Sequence, residues 1–104
     1  MDETEYHIAA TPPLQELLEF AEGLESGHEI EAELEEGILS VVMPDAREYI
    51  INKHTPSRQI WVSSPYSGAG YFEFDGAKWM PKRAAAAEGR DLQSFIKAEI
   101  LSHL

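Results

Sequence analysis

Apolar residues at Leu14, Leu17, Leu18, Ala21 and Leu24 recur every three or four positions, which predicts an amphipathic helix with one face turned to a core. Glu16, Glu19, Glu22 and Glu25 fall between them and put an acidic ridge on the polar side. Gly23, Ser26 and Gly27 mark the end of this helix. At its start, Thr11 suits an N-cap followed by proline, whereas Pro12 and Pro13 inside a helix would remove donors and clash with the preceding turn. The expectation is a helix from about Thr11 to Glu25, with residues 2–10 as a kinked extra segment.

The period then switches to two. From Glu29 to Glu35 the chain alternates strictly, with Ile30, Ala32 and Leu34 on a buried face and four glutamates on the other. Glu36-Gly37 supplies a tight turn, Ile38 to Met43 is the returning strand, and Pro44-Asp45 begins the next connection. Three more strands are predicted at Glu48 to Lys53, Gln59 to Ser63 and Gly70 to Asp75, and Asp75-Gly76 turns into a short strand around Trp79. Leu92, Phe95, Ile96 and Ile100 restore helical spacing and predict a closing helix from about Asp91. Helix, strand meander and helix together give an α+β fold, expected as one domain over residues 1–104. It is a two-layer sandwich whose antiparallel sheet of about six strands carries the N- and C-terminal helices on one face.

Such a sheet leaves its other face to solvent. In Gln59-Ile60-Trp61-Val62-Ser63, parity assigns Ile60 and Val62 to the core and groups Trp61 with polar Gln59 and Ser63. Asn52, between Ile51 and Lys53, shares that side. A tryptophan there is either an anchor for a partner or a ring laid under a loop or across neighbouring strands.

Charge sharpens the picture. The formal net charge is −11, yet residues 1–43 hold 12 acidic residues and no Lys or Arg, while residues 44–104 hold seven acidic and eight basic ones. The whole excess therefore lies on the first helix and first strand. Nucleic acid and anionic membrane are disfavoured as partners, whereas metal cations or an arginine-rich protein would be attracted. A merely solubilising face is the bland alternative. Cysteine is absent, which excludes disulfides, thiolate catalysis and cysteine-held clusters and leaves a metal only oxygen or histidine donors. No apolar run is long enough to span a bilayer. Met1 to Glu5 has neither the basic start of a secretory signal nor the Arg-rich character of a transit peptide.

The stretch from Tyr49 to Gly68, YIINKHTPSRQIWVSSPYSG, resembles the signature of the frataxins, usually written Y-V-I-N-K-Q-x-P-x-x-Q-I-W-L-S-S-P-x-S-G. The likeness extends to an acidic first helix opening on Tyr6-His7, an acidic first strand, the later Trp79 and a closing helix. It implies an iron-binding protein that docks on the cysteine desulfurase and scaffold complex and regulates iron-sulfur cluster assembly, with ferrochelatase as a further partner. It also implies a monomer in the mitochondrial matrix, or in the bacterial cytoplasm. Matched residue by residue, Asn52, Gln59 and Trp61 correspond to the family's partner-contacting face, the face reached independently from strand parity. His7, Glu19, Glu22, Glu29, Glu31 and Glu33 correspond to its iron-binding ridge. The chain departs from the pattern at Gln15 and Gly23, where relatives often carry an acid, and at His54, where Gln is usual. It departs again at Gly70, near a commonly basic position, at Pro12-Pro13 and in the Ala84 to Ala87 run.

Exposed carboxylates spaced along a strand and a helix offer hard oxygen donors to Fe2+ and Fe3+ alike, with modest affinity and easy release. Two other readings stand beside iron-dependent docking. One is ferroxidase or iron-storage chemistry on the same carboxylates, an activity ascribed to some frataxins, although the pair of helical Glu-x-x-His motifs that builds buried di-iron sites is absent. The other is an acidic module that captures basic proteins without metal. No Ser-His-Asp constellation is visible.

Overall fold

Asp2, not Thr11, starts the first helix. In the computed structural model, which describes residues 1–104, α1 runs without interruption over Glu3–Leu24. A capping box closes its start: the Asp2 carboxylate accepts from the Glu5 amide at 2.8 Å, and the Glu5 carboxylate accepts from the Asp2 amide at 3.2 Å. The expected break at the prolines is absent for a reason that lies far along the chain. Pro13 has no N–H to give the Ala9 carbonyl four residues back, and the Trp79 indole Nε1–H donates to that carbonyl instead, at 2.9 Å. Ile8, whose carbonyl Pro12 leaves unpaired, is 70% exposed and lies on the side of the helix open to water.

Six strands follow in chain order: β1 Glu31–Glu35, β2 Ile38–Val42, β3 Glu48–His54, β4 Gln59–Ser64, β5 Gly68–Phe74 and β6 Trp79–Arg83. They form one open antiparallel meander in the order β1-β2-β3-β4-β5-β6, and α2, Leu92–Ser102, closes the chain. The Glu36-Gly37 turn has positive φ at both residues, 50° and 78°, as the tight hairpin between β1 and β2 requires.

The parity readings hold. Leu39, Val41, Tyr49, Ile51, Ile60, Val62 and Phe72 are buried on the inner face, against Tyr6, Ala10, Leu14, Leu17 and Ala21 of α1 and Leu92, Phe95, Ile96 and Ile100 of α2. Tyr6 ties the two layers together at one end: its ring meets Trp79 edge-on at 6.0 Å and its hydroxyl donates to the Gln59 carbonyl at 2.6 Å. Two unusual sequence features have steric explanations. A Cβ at Gly70 would lie 2.7 Å from the Arg83 carbonyl oxygen and 2.8 Å from Ala84 Cβ, so only glycine lets the end of β6 approach β5. The alanine run forms a single 3-10 turn over Ala85–Ala87 that buries Ala87 in the core.

Candidate functional site

On the outer face of the sheet, register brings side chains from five strands into one row. Glu35 lies opposite Ile38, Ile38 opposite Asn52, Asn52 opposite Trp61 and Trp61 opposite Tyr71. His54, Gln59 and Glu73 form the row below. The three residues predicted to contact a partner therefore sit side by side on β3 and β4. Trp61 is 42% exposed, and its ring is stacked on His54 at 4.1 Å and 14° and faces Tyr71 at 6.1 Å and 30°. The ring lies flat across its strand neighbours, as one of the two expectations had it, and still presents nearly half its surface.

Gln59 is committed inside the protein. Its Oε1 accepts from Trp61 Nε1 at 2.8 Å and from Ser57 Oγ at 2.9 Å, while its Nε2 donates to Glu73 at 2.9 Å. Asn52 makes a single contact, from Nδ2 to the Lys53 carbonyl at 3.3 Å, so most of its hydrogen-bonding capacity remains for a partner. Sequence reasoning missed His54 and Tyr71. Parity alone puts His54 on the same side as Asn52, but only the register shows that both rings flank Trp61.

The acidic ridge is an edge. Glu31 and Glu33 project from the outer face of β1, opposite Val42 and Ser40, and Glu29 precedes the strand. Glu19 and Glu22 are exposed on α1, in the other layer. None of these five takes part in a salt bridge; Glu16 alone of the helix ridge is paired, to Lys97 at 3.0 Å. Uncompensated carboxylates two apart on a strand stand about 7 Å from each other and repel by roughly 0.6 kcal/mol in water. A cation drawn to the ridge relieves that repulsion. The structure does not gather the ligand set at one point: no three His, Asp or Glu side chains converge in a metal-holding group. His7 is 12 residues from Glu19, about 18 Å along the helix axis, so the two cannot share an ion.

His7 is also engaged elsewhere. Its Nδ1 lies 3.4 Å from Lys53 Nζ, which donates to Thr11 Oγ1 at 2.6 Å, and its Nε2 lies 3.7 Å from Glu3. An ammonium can only donate, so this contact takes up the Nδ1 lone pair that a metal would need. Burial beneath α1 holds the Lys53 pKa below the ordinary lysine value.

The largest concavity, about 760 Å³, lies apart from both surfaces, between the first half of α1, the turn after β5 and the start of α2. Ile8, Pro12, Phe74 and Trp79 line it with Lys78 and Lys97, and it contains none of the predicted site residues.

Residues 1–104 match the family model of a frataxin-like domain. The chain is 38% identical over 72 residues to the mitochondrial frataxin of Dictyostelium discoideum, covering 67% of this chain and 35% of that protein. Trimeric frataxin from the yeast Saccharomyces cerevisiae, whose structure is complexed with ferrous iron, is similar at 30% identity and a TM-score of 0.76, over 90% of this chain and 83% of that one. Frataxin from Psychromonas ingrahamii has the same fold at a TM-score of 0.81 and 22% identity, over 99% of this chain and 91% of that one. The chain spans about a third to a half of the length of several curated mitochondrial relatives that it matches.

Proposed function

This chain belongs to the frataxin family, and on that premise we propose that it binds iron along the acidic edge and docks through the outer sheet face on the cysteine desulfurase and scaffold complex, regulating iron-sulfur cluster assembly. The observation that carries the reading is the side-by-side display of Asn52, Gln59 and half-exposed Trp61 on β3 and β4, next to an edge of unpaired glutamates. The ferrous complex of the yeast relative supports the iron half. Oxygen donors would come from Glu19, Glu22, Glu29, Glu31 and Glu33, as a dispersed field in place of one pocket. His7 joins them only by exchanging its Lys53 contact for the metal. Iron held this way is cargo, exposed and readily surrendered to a partner.

No carboxylates converge as they do in the buried di-iron sites of helical bundles, and no observation favours ferroxidase chemistry over docking. A mitochondrial matrix setting and a monomeric docking unit complete the proposal. The test is a pull-down with desulfurase and scaffold, with and without Fe2+, using wild type and Trp61→Ala. Trp61→Ala is expected to cost at least about 2 kcal/mol of docking affinity, the scale of an interface hot spot, with little change in the thermal melt. Capture of the complex by Trp61→Ala at wild-type strength would remove the sheet face from the proposal. Iron-independent capture would leave an acidic module that binds its partners without metal.

A further inference from the structure

An exposed tryptophan on a flat sheet would ordinarily sample several rotamers, and docking would have to select one of them. Trp61 has both degrees of freedom restrained before any partner arrives. Its Nε1–H is bound to Gln59 Oε1 at 2.8 Å, and one ring face is covered by His54, nearly parallel at 14° and 4.1 Å between centroids. His54 is itself tethered. Its Nδ1 lies 2.6 Å from Ser57 Oγ, and Ser57 Oγ donates in turn to the same Gln59 Oε1 that holds the indole. The three side chains close a loop around Trp61, anchored on its far side by the bond from Gln59 Nε2 to Glu73. Ser57 holds its place through the short 3-10 turn Thr55–Ser57, where Arg58 adopts a left-handed φ of 56° and returns the chain to β4.

We propose that His54 is a positioning residue for the docking face: held by Ser57 and stacked on Trp61, it fixes the indole in the orientation a partner meets. The consequence for affinity rests on the docking reading above; the positioning itself does not. The frataxin signature usually has Gln at the position of His54, a side chain that cannot stack as a ring does.

The test uses two measurements on the full chain. Hydrogen exchange of the Trp61 indole N–H, assigned by its loss in Trp61→Phe, reads the positioning with no partner present. Exchange is expected to accelerate several-fold in His54→Ala and to return toward the wild-type rate in His54→Phe, which restores a flat ring but not the bond to Ser57. Unchanged exchange in His54→Ala overturns the proposal. The second measurement is docking on the desulfurase and scaffold complex. Loss of the restraint on one large side chain should weaken docking roughly three- to tenfold in His54→Ala, and no further loss should appear when His54→Ala is added to Trp61→Ala. An undiminished His54→Ala effect in the Trp61→Ala background would mean that His54 touches the partner itself, which also overturns the proposal. If Trp61→Ala docks as well as wild type, the docking reading fails, and the indole exchange alone decides whether His54 positions the ring.

Discussion

The bond from Trp79 to the Ala9 carbonyl makes a quantitative demand on the fold. Trp79→Phe removes the indole donor and leaves the carbonyl that Pro13 has already deprived of its helical partner. A stranded buried acceptor costs about 1–3 kcal/mol, and the Ala9 carbonyl, part-buried beside the concavity, falls toward the lower end. Trp79 is only 2% exposed and packs on Tyr6 and Phe74, so the smaller ring also leaves a gap whose cost depends little on residue 13. Pro13→Ala separates the two terms, because the amide restored at residue 13 points at Ala9 O in the ordinary helical geometry. The cost of Trp79→Phe should therefore be smaller in the Pro13→Ala background by about 1–2 kcal/mol. Urea or thermal unfolding of the four proteins measures it: at this size, about 1 kcal/mol corresponds to roughly 4–8 °C in Tm. Equal costs in both backgrounds, within about 0.5 kcal/mol, would refute the claim that Trp79 replaces the missing proline donor.

Two further outcomes are expected. Replacing Glu29, Glu31 and Glu33 together by Gln should weaken iron binding in calorimetry and leave the fold intact or more stable by a few tenths of a kcal/mol, since like charges on one strand face repel; unchanged iron affinity would exclude β1 as a site. Burial pushes the Tyr6 phenol up to about 12, so the unfolded chain ionises first: stability is fully present below the ordinary phenol pKa near 10 and falls as pH rises from about 10 to 12, by roughly 2–3 kcal/mol. Tyr6→Phe should reduce that alkaline slope in pH-dependent melts, leaving the part that Tyr49 and Tyr66 contribute because burial raises their pKa values too, and an equally steep slope in the variant would show that Tyr6 is not a source of it.

Much of this was legible from period and parity. The alternation in β1 and β4 correctly divided core from surface, because a strand's side chains have no choice but to alternate. The start of α1 was misread because the local cost of Pro12-Pro13 is real and its remedy, the Trp79 indole, lies 66 residues further along the chain from Pro13. Asp2 and Glu5 stand at capping-box spacing, a start signal left unread beside the prolines. The triad Asn52, Gln59 and Trp61 could be placed on one face from sequence, but not the contacts of His54 and Tyr71, which depend on register across three strands. The spread of the ridge over both layers was hidden for the same reason: the acids are close in sequence, yet β1 directs Glu31 and Glu33 away from the helix that bears Glu19 and Glu22.

The sheet is open, and β1 and β6 each end it with a row of unpaired backbone groups. Such rows invite a second copy to add its own strand. β6 is blunted by Pro81, which has no donor, by the register irregularity facing Tyr71 and Phe72, and by Lys82 and Arg83. β1 has neither proline nor bulge; its protection against edge-to-edge aggregation is the glutamates themselves. Neutralising them to probe metal binding therefore also uncovers a sticky edge, and any ridge variant has to be shown free of self-association before a change in its iron affinity is assigned to lost ligands.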